Sequence, residues 1–301
     1  MNNVECPQIA ILTPTYNRAY ILPELYKSLL RQTSCSFTWY IVDDGSTDDT
    51  KDVCAQFNNS KFEIKYIKKE NGGKHTALNE GVAQIQEELT FIVDSDDYLT
   101  DDAVETIIKD WVIYRDQKDI VGLSYYRIDK NGQVIGDKYP QERFVDTYAN
   151  VRINGNVSGD KAELYRTEAL KSHPFPVFEG EKFCSEAIVW NAISKDNYNL
   201  VFISKGIYVC EYRADGLTSA GRKKMFENPL GYLEHAKSYL YSGIKQKIQW
   251  KYILRPITPI LFHRLQNVQC GGKIIFLLSF FYVFCDFNQT ARRNRTRRRI
   301  V

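Results

Sequence analysis

The sequence predicts an α/β fold, in which a mostly parallel sheet carries helices on both faces. Over the first 114 residues, short apolar runs of strand length alternate with segments whose apolar residues recur at helical spacing. Polar, acid-rich loops follow the strands that end near Thr13, Asp43 and Asp94. Sheets of this kind bind ligands at the carboxyl ends of their strands, so we expect the chemistry in these three loops.

The individual elements follow in order along the chain. Strands are expected at residues 8–13, 38–43, 62–67 and 89–94, and helices at residues 21–31, 47–57, 74–85 and 101–114. The first helix shows the pattern clearly, since apolar residues recur at helical spacing at Ile21, Leu22, Leu25 and Leu29. Each strand is followed by a helix, and this is the arrangement that makes neighbouring strands parallel.

The pattern changes after residue 120. A strand at residues 120–127 leads into Asn131-Gly132, which is a hairpin signal. Residues 150–215 mix short strands with one clear helix near residues 184–194, and residues 222–242 also have a helical pattern. We expect this second half to extend the same sheet and not to form a separate domain.

Charge is distributed unevenly along the 301 residues. The formal net charge is +3, yet residues 241–301 hold twelve Lys and Arg and one acid, which is +11, and the first 240 residues carry −8. Residues 274–284 are almost wholly apolar, and six arginines follow between residues 292 and 299. An apolar run too short to span a bilayer, beside a basic cluster, predicts attachment to an anionic membrane surface. A tail helix packed on the body or on a second subunit is the alternative.

The cysteines and the first residues bear on the compartment. Seven cysteines are scattered with no Cys-x-x-Cys pair, which argues against a disulfide framework and a zinc site. Residues 1–10 lack a basic stretch followed by an apolar one, so they do not indicate a secretory signal. We therefore expect a cytoplasmic protein with reduced thiols, attached peripherally to the inner face of the cell membrane.

The strongest local signal is the acid cluster Asp94-Ser95-Asp96-Asp97, directly after an apolar strand. In an extended segment, Asp94 and Asp96 point to the same side. A hard cation such as Mg²⁺ is commonly held by one or two carboxylates together with substrate phosphates, so these two residues are candidate metal ligands. A solvated turn before a helix is the alternative.

Three further loops complete the pattern. Residues 13–18 have the sequence TPTYNR, residues 43–48 DDGSTD, and residues 71–79 NGGKHTALN, in which a glycine pair opens a helix. Free N–H groups and Lys74 at a helix N-terminus suit a diphosphate. Each loop alone is also consistent with an ordinary turn, and His75 with a core histidine. Together the three predict the wall of a nucleotide site.

In the order and spacing of these segments, with FIVDSDD at residues 91–97, residues 7–215 resemble the family 2 glycosyltransferases of bacterial surface-polysaccharide type. The resemblance implies the GT-A fold, with its Rossmann-like sheet, and an inverting transfer from a nucleotide sugar, commonly a UDP-sugar, assisted by Mn²⁺ or Mg²⁺. By position it implies that Asp43 bonds the base. The residues it places at the nucleotide are Thr13, Pro14, Thr15, Asn17, Asp43, Asp44, Lys74, Asp94 and Ser95, and those it places at the metal are Asp96 and Asp94.

An inverting transfer also requires a carboxylate that accepts the proton of the acceptor hydroxyl. The resemblance places this base at an acidic pair in the second half of the domain. Here the corresponding segment, EGEKFCSEAIVW at residues 179–190, has Glu186 in the expected place but lacks the usual pair. The assignment stays open among Glu186, Glu181 and Glu179. A first-turn acid stabilised by the helix dipole is the alternative role for Glu186.

These observations divide the chain into residues 1–125, a nucleotide-sugar-binding half; residues 126–242, an acceptor-binding half; and residues 243–301, a membrane-associating tail with a helical, basic character. The expected function is a non-processive glycosyltransferase that acts on a glycan acceptor, lipid-linked as the resemblance and the tail imply. A catalytically inactive sugar-nucleotide-binding or scaffold protein is the alternative.

Three other classes are disfavoured. A processive synthase of the same family has Gln-x-x-Arg-Trp and several membrane spans, whereas this chain lacks that motif and any 18-residue apolar run. A dinucleotide-dependent oxidoreductase requires a Gly-x-Gly-x-x-Gly turn after the first strand, and residues 13–18 have none. Nucleic-acid binding is disfavoured because the first 240 residues are acidic and offer no basic groove.

Overall fold

The computed structural model describes residues 8–211, 226–241 and 243–250. The apolar run at residues 274–284 and the arginines after it lie outside the described residues, so the prediction of a helical, membrane-associating tail is not addressed by the structure. Within the described ranges, no helix combines the length and the apolar character that crossing a bilayer requires.

Strands and helices alternate through the first 114 residues, as predicted. The strands are β1 (Ile9–Thr15), β2 (Phe37–Asp43), β3 (Glu63–Lys68), β4 (Leu89–Ile92) and the short β5 (Tyr98–Leu99). The helices are α1 (Leu22–Leu30), α2 (Thr50–Ala55), α3 (Lys74–Gln84) and α4 (Ala103–Tyr114). Helix α2 starts later than expected because the Asp48 carboxylate accepts hydrogen bonds from the N–H and the hydroxyl of Thr50, which closes a turn before the helix.

The second half contributes four strands, β6 (Ile120–Ile128), β7 (Arg143–Asp146), β8 (Lys161–Arg166) and β9 (Asn199–Val209). Its helices are α5 (Thr167–Ser172), α6 (Ala187–Lys195) and α7 (Pro229–Lys237), and a short π-helical turn, Ala149–Asn154, precedes β8. The predicted hairpin turn is present, with Gly132 at a φ of +77°, and across it Ile128 pairs with Val134.

All nine strands of the described residues belong to one sheet, in the order β3-β2-β1-β4-β8-β6-β9-β5, with β7 beside β9. Strands β1 to β4 pair in parallel, as the alternation of strands and helices predicts. Strands β6 and β9 of the second half are parallel, whereas β7 and β8, and the short β5 that pairs with β9, run antiparallel to their neighbours. The sheet is therefore parallel in its first half and mixed overall, because β8 reverses direction where the two halves join.

Two apolar layers cover the two faces of the sheet. Alternate residues of β1 enter different layers: Ala10 and Leu12 join the layer that includes α3, α5 and α6, whereas Ile9 and Ile11 join the layer that includes α1 and α4. Every residue of β1 and β2 is buried, because helices cover both faces of these strands. This doubly covered sheet fixes the loops at its carboxyl edge.

Candidate active site

A cleft of about 800 Å³ lies at the carboxyl ends of β1 and β4, where the two halves of the sheet meet. One wall comes from the loops that the sequence singles out, through residues 14–16, Arg18, Asp44, Asn71, residues 73–75 and residues 94–97. The other wall comes from Arg127, residues 148–163 and residues 182–190 of the second half. The cleft lies where parallel sheets bind their ligands.

Asp44 organises the glycine loop on the first wall. It is 3% exposed, and its carboxylate accepts hydrogen bonds from Lys69 Nζ at 2.8 Å and from the N–H groups of Gly72 and Gly73 at 3.0 and 2.7 Å. Asn71 Nδ2 donates to the same carboxylate. The loop before α3 is therefore shaped by a buried carboxylate that is fully partnered by the protein itself.

Asp43 lies beneath the cleft and not on its wall. It is completely buried, and its carboxylate accepts hydrogen bonds from the N–H of Ser46 at 2.7 Å and from the hydroxyl of Tyr66 at 2.5 Å. Burial, followed by the neighbouring Asp43 carboxylate, raises the pKa of the Tyr66 hydroxyl, so this donor stays protonated at neutral pH. A contact between Asp43 and a nucleotide base stays a prediction, and the complete burial of Asp43 means that it requires a local movement.

Thr13 and Asn17 also support the loops from behind. The Thr13 hydroxyl is completely buried and accepts a hydrogen bond from Trp39 Nε1 at 3.0 Å. Asn17, in the left-handed region with φ of +53°, accepts from the N–H of Thr47 at 2.8 Å and donates its own N–H to Ser46 Oγ. These contacts tie the loop after β1 to the loop after β2, and neither residue lines the cleft.

Pro14 and Thr15 do line the cleft. The Thr15 hydroxyl is buried, and no described residue forms a hydrogen bond with it. Buried hydroxyl groups are normally partnered, so an orphaned one on a cleft wall points to a partner that is not part of the protein. Of the residues predicted in the loop after β1, Thr15 is therefore the one that lines the cleft and has an unpartnered hydroxyl among the described residues.

Asp94 in the acid cluster is neutralised by the protein. Lys74 Nζ donates a hydrogen bond to its carboxylate, and Arg127 Nη1 lies 3.3 Å from its other oxygen. Burial disfavours the ionised form, yet the charges of Lys74 and Arg127 outweigh burial and hold the pKa of Asp94 well below its usual range. The sequence indicated Lys74 as a diphosphate contact, but it indicated neither Arg127 nor the pairing of both cations with Asp94, which only the folded chain brings about.

Asp96 and Asp97 have different surroundings. Burial, followed by the charges of Asp94 and Asp96, raises the pKa of Asp97 to about 7, although Arg127 Nη1 lies 3.6 Å away. Asp96 faces the cleft, and among the described residues its carboxylate has no hydrogen-bond or ion-pair partner. Ser95, which lies between Asp94 and Asp96 in the sequence, is buried and also lines the cleft. Asp96 is therefore the carboxylate of the cluster that is open to the cleft.

The acid cluster fits a cation that takes most of its ligands from the substrate. The described residues contain no group of three or more His, Cys, Asp or Glu arranged to hold a metal by themselves. Asp96 is open to the cleft, and Asp94 lies beside it. Mg²⁺ typically takes one or two carboxylates and completes its shell with phosphates and water. This donor set suits a metal that binds together with a diphosphate.

Lys74 links the acid cluster to the second wall. Its ammonium donates to Asp94 and lies 2.7 Å from Oε1 of Glu186, the residue immediately before α6. Burial opposes the charged form, but the two carboxylates outweigh it and raise the pKa of Lys74. The structure thus brings Glu186 to the cleft that Thr15 and Asp96 also line.

The other two candidate bases lie elsewhere. The Glu181 carboxylate accepts hydrogen bonds from the N–H groups of Leu230 and Gly231, each at 2.7 Å, at the start of α7. It therefore partners N–H groups that have no acceptor within the helix. Glu179 is exposed to solvent and, like Glu181, does not line the cleft. Of the three acids, Glu186 is the one on the cleft wall.

Several residues of the second wall were missed by sequence reasoning. Arg127, in β6, lies over the ring of Tyr208 at 4.1 Å and pairs with Asp94. Burial lowers the pKa of Lys161 to about 8, and its ammonium donates to two backbone carbonyls. Arg152 donates to the carbonyls of residues 157 and 159, and its Nε is buried without a hydrogen-bond partner in the described part of the chain. For Arg127 the sequence signal was a cationic residue at the end of an apolar strand, and Lys161 and Arg152 had no such signal.

Comparison with known proteins identifies similar sequences. A profile for glycosyl transferase family 2 matches residues 10–173. The glycosyltransferase GlyA of Streptococcus pneumoniae is 27% identical over 237 residues, which are 72% of this chain and 32% of GlyA. The GalNAc(5)-diNAcBac-PP-undecaprenol beta-1,3-glucosyltransferase of Campylobacter jejuni is 26% identical over 239 residues, which are 77% of this chain and 74% of that enzyme. This chain therefore spans about a third of GlyA.

Two solved structures share the fold. TarS of S. aureus, residues 1–349 in complex with UDP-GlcNAc, has a TM-score of 0.62 and 23% identity, covering 83% of this chain and 72% of that chain. The mannosyltransferase PcManGT of Pyrobaculum calidifontis, in complex with GDP-Man and Mn²⁺, has a TM-score of 0.57 and 15% identity, covering 93% and 81%. At these identities the likeness concerns the fold alone.

Proposed function

This chain belongs to glycosyl transferase family 2 and has the GT-A fold, and we propose that it transfers one sugar at a time, with inversion, from a UDP-sugar to a hydroxyl of a glycan acceptor. The observation that carries the proposal is the placement of Asp96 and Glu186 on the two walls of one cleft. The first acid belongs to the wall that suits a nucleoside diphosphate. The second belongs to the wall left for an acceptor.

The donor site is proposed on the first wall. The orphaned hydroxyl of Thr15 and the adjacent Pro14 suit the nucleoside, and the N-terminus of α3 with Lys74 suits the diphosphate. Asp44 and Ser95 line the same wall. TarS, which shares the fold, was crystallised with UDP-GlcNAc, and this supports UDP as the nucleotide.

Asp96 and Asp94 are the proposed ligands of Mn²⁺ or Mg²⁺. The bound cation supplies positive charge to the leaving diphosphate, as a Lewis acid. The protein itself adds Lys74 on the same side, so the negative charge that develops on the diphosphate meets the ammonium as well. The presence of Mn²⁺ in the PcManGT structure supports this assignment.

Glu186 is the proposed general base. The acceptor oxygen attacks the anomeric carbon, the bond from that carbon to the diphosphate oxygen breaks, and the hydroxyl proton passes to the Glu186 carboxylate. A base on the wall opposite the leaving group gives inversion at the anomeric carbon. Its place at the start of α6 fixes the backbone of the residue, because Ile188 and Val189 are buried in the core.

The acceptor is proposed to be a lipid-linked glycan in polysaccharide assembly. The Campylobacter relative acts, by its name, on a glycan attached through PP to undecaprenol. In this proposal residues 1–125 bind the donor, residues 126–242 bind the acceptor, and the basic residues 243–301 hold the enzyme at the cytoplasmic face of an anionic membrane. Cosedimentation with anionic and neutral vesicles, with and without residues 251–301, tests the last point. Equal cosedimentation of both proteins would reject it.

A nucleotide panel tests the donor assignment. We expect UDP to bind more tightly than GDP, CDP or ADP in calorimetric titrations, and binding to weaken when a chelator replaces Mn²⁺. A catalytically inactive binding protein would bind UDP equally but would not release UDP from a UDP-sugar, so the two functions are separated by that assay.

In Asp43→Ala, an unchanged preference for UDP over CDP would reject the predicted contact of Asp43 with the base.

A further inference from the structure

Lys74 connects the two walls of the cleft. Its ammonium donates hydrogen bonds to the carboxylate of Asp94, on the donor side, and to Oε1 of Glu186 at 2.7 Å, on the acceptor side. The side chains of Lys74 and Glu186 are 26% and 29% exposed, so the pair is neither sealed in the core nor free in solvent. A ligand that enters the cleft can therefore reach it.

Backbone contacts fix the position of Lys74. Gly73 has a φ of +95°, and a Cβ atom at this position would lie 2.1 Å from the carbonyl oxygen of Lys182. The Lys182 ammonium also donates to Asn71 Oδ1 at 2.6 Å. The segment that begins α3 thus packs directly on the segment that leads to Glu186, so the Lys74–Glu186 pair follows from the way the two halves join.

The two carboxylates held by Lys74 differ in their other partners. Asp94 also pairs with Arg127, whereas Lys74 is the cation paired with Glu186 among the described residues. If the ammonium moves away, Asp94 keeps a positive neighbour and Glu186 loses its hydrogen-bond donor. When Lys74 changes its partner, Glu186 is therefore the carboxylate that is mainly affected.

We infer that Lys74 is a positioning residue that holds Glu186 until the diphosphate of the donor arrives; this inference rests on the proposed function. The diphosphate carries more negative charge than a carboxylate, and it binds at the helix N-terminus where Lys74 stands. The ammonium leaves Glu186 for the diphosphate. The freed Glu186 oxygen then accepts the proton of the acceptor hydroxyl, so donor binding prepares the base.

Because Glu186 and the diphosphate compete for the Lys74 ammonium, we expect an effect on UDP binding even in the absence of any acceptor. Removing the charge of Glu186 removes the competitor, so Glu186→Gln is expected to bind UDP about two- to fivefold more tightly than the unchanged protein, the range of a partly exposed ion pair. In Lys74→Met there is no ammonium to compete for. Adding Glu186→Gln to Lys74→Met is therefore expected to change the UDP affinity less than about 1.5-fold, the error of such a cycle.

The experiment is a set of calorimetric UDP titrations, in the presence of Mn²⁺, on the unchanged protein, the two single variants and the double variant. Glu179→Gln is the matched control, because it removes the same charge from an exposed residue outside the cleft. It is expected to leave UDP affinity unchanged. Glu186→Ala serves as the second variant if Glu186→Gln does not fold, as judged by its thermal unfolding.

The outcomes separate this inference from the proposed function. The inference is supported when Glu186→Gln binds UDP more tightly than the unchanged protein and the same substitution gives no increase in UDP affinity in the Lys74→Met background. Equal affinity with and without the Glu186 carboxylate overturns it, as does an equal gain in the Lys74→Met background or in Glu179→Gln. Failure of the unchanged protein to bind any nucleoside diphosphate overturns the proposed function instead.

Discussion

The two walls of the cleft are built in different ways. At the first wall Asp44 is buried and accepts hydrogen bonds from the glycine loop, and Asp43 beneath it accepts from Ser46 and Tyr66, so the loops keep their shape through the protein's own hydrogen bonds. On the second wall Arg152 and Lys161 are held by backbone carbonyls, and Arg152 Nε lies 3.8 Å from Oε1 of Glu163 without a hydrogen-bond partner in the described residues. The loops of the first wall are therefore held by their own hydrogen bonds, whereas the second wall contains a buried, charged nitrogen without a hydrogen bond in the described residues.

This difference explains why most of the sequence motifs lie on the first wall. The loop geometry of the donor wall depends on a few residue types at fixed spacing, such as an acid that accepts from the N–H groups of a glycine pair. The acceptor wall depends on side chains gathered from β6, β8 and the segment before α6, which are distant in the sequence. Four predictions test this division, in decreasing order of the effect that we expect.

The largest effect is expected at Glu186. Glu186→Gln keeps the shape of the side chain but cannot accept a proton, so turnover is expected to fall about 10²–10⁴-fold, the usual contribution of general acid–base catalysis. Glu181→Gln weakens the acceptor for two N–H groups of α7 and is expected to lower the melting temperature while the folded enzyme retains turnover. Steady-state rates and thermal unfolding of both variants check this contrast, and the reverse result would transfer the role of base to Glu181.

The next effect concerns the junction of the two walls. Gly73→Ala places a Cβ atom 2.1 Å from the Lys182 carbonyl oxygen at a φ of +95°, so we expect a loss of about 2–4 kcal/mol in the free energy of unfolding. Gly132→Ala is the control, since Gly132 also has a positive φ but no atom within 4 Å, and it is expected to cost about 1 kcal/mol. Denaturant unfolding measures both. Equal losses would show that the close approach to residue 182 is unimportant.

A smaller effect is expected for the metal. Asp96→Asn replaces an open carboxylate with a weaker ligand, so UDP binding in the presence of Mn²⁺ is expected to weaken about 10–100-fold, the usual cost of disturbing a metal site. In the presence of a chelator, the variant and the unchanged protein are expected to bind UDP alike. Calorimetric titration under both conditions checks this, and equal affinity in all four titrations would contradict a metal at Asp96.

The smallest effect separates two threonines of β1. Thr15→Val removes an orphaned hydroxyl, so stability is expected to be unchanged while UDP affinity falls by about 0.5–1.5 kcal/mol, the value of one hydrogen bond. Thr13→Val removes the acceptor of Trp39 and is expected to lower stability by a similar amount while leaving UDP affinity unchanged. Unfolding and titration of both variants decide between them, and loss of UDP affinity in Thr13→Val would return that residue to the nucleotide site.

Much of the fold could be predicted from the sequence, because β1, β2 and β4 are buried runs followed by short loops and amphipathic helices. The antiparallel strands were not specified, since nothing local in β8 shows which way it enters the sheet. In the site, the loops after β1 and β4 were located, and Glu186, the first of the three candidate bases, lies on the cleft wall.

The different positions and partners of the acids in those loops were not predictable from the sequence. Asp43 and Asp44 are adjacent and chemically identical, yet only Asp44 lines the cleft, because Tyr66 and Ser46 turn the Asp43 carboxylate inward. The counter-charges of Asp94 come from α3 and β6, and only the folded chain brings Lys74 and Arg127 to the same carboxylate. Contacts between distant segments decide these roles, and a single sequence does not display them.

Water can replace the acceptor, so the reaction can be tested without knowledge of the acceptor. The anomeric configuration of the released sugar then shows whether the metal-dependent transfer inverts. UDP-α-sugars are incubated with the enzyme and Mn²⁺, and proton NMR spectra are recorded before the released sugar mutarotates. We predict that the β-anomer appears first, and that its release is abolished by a chelator and strongly reduced in Glu186→Gln. Early release of the α-anomer, or no metal-dependent release from any UDP-sugar, would contradict an inverting transferase with Asp96 and Glu186 on its two walls.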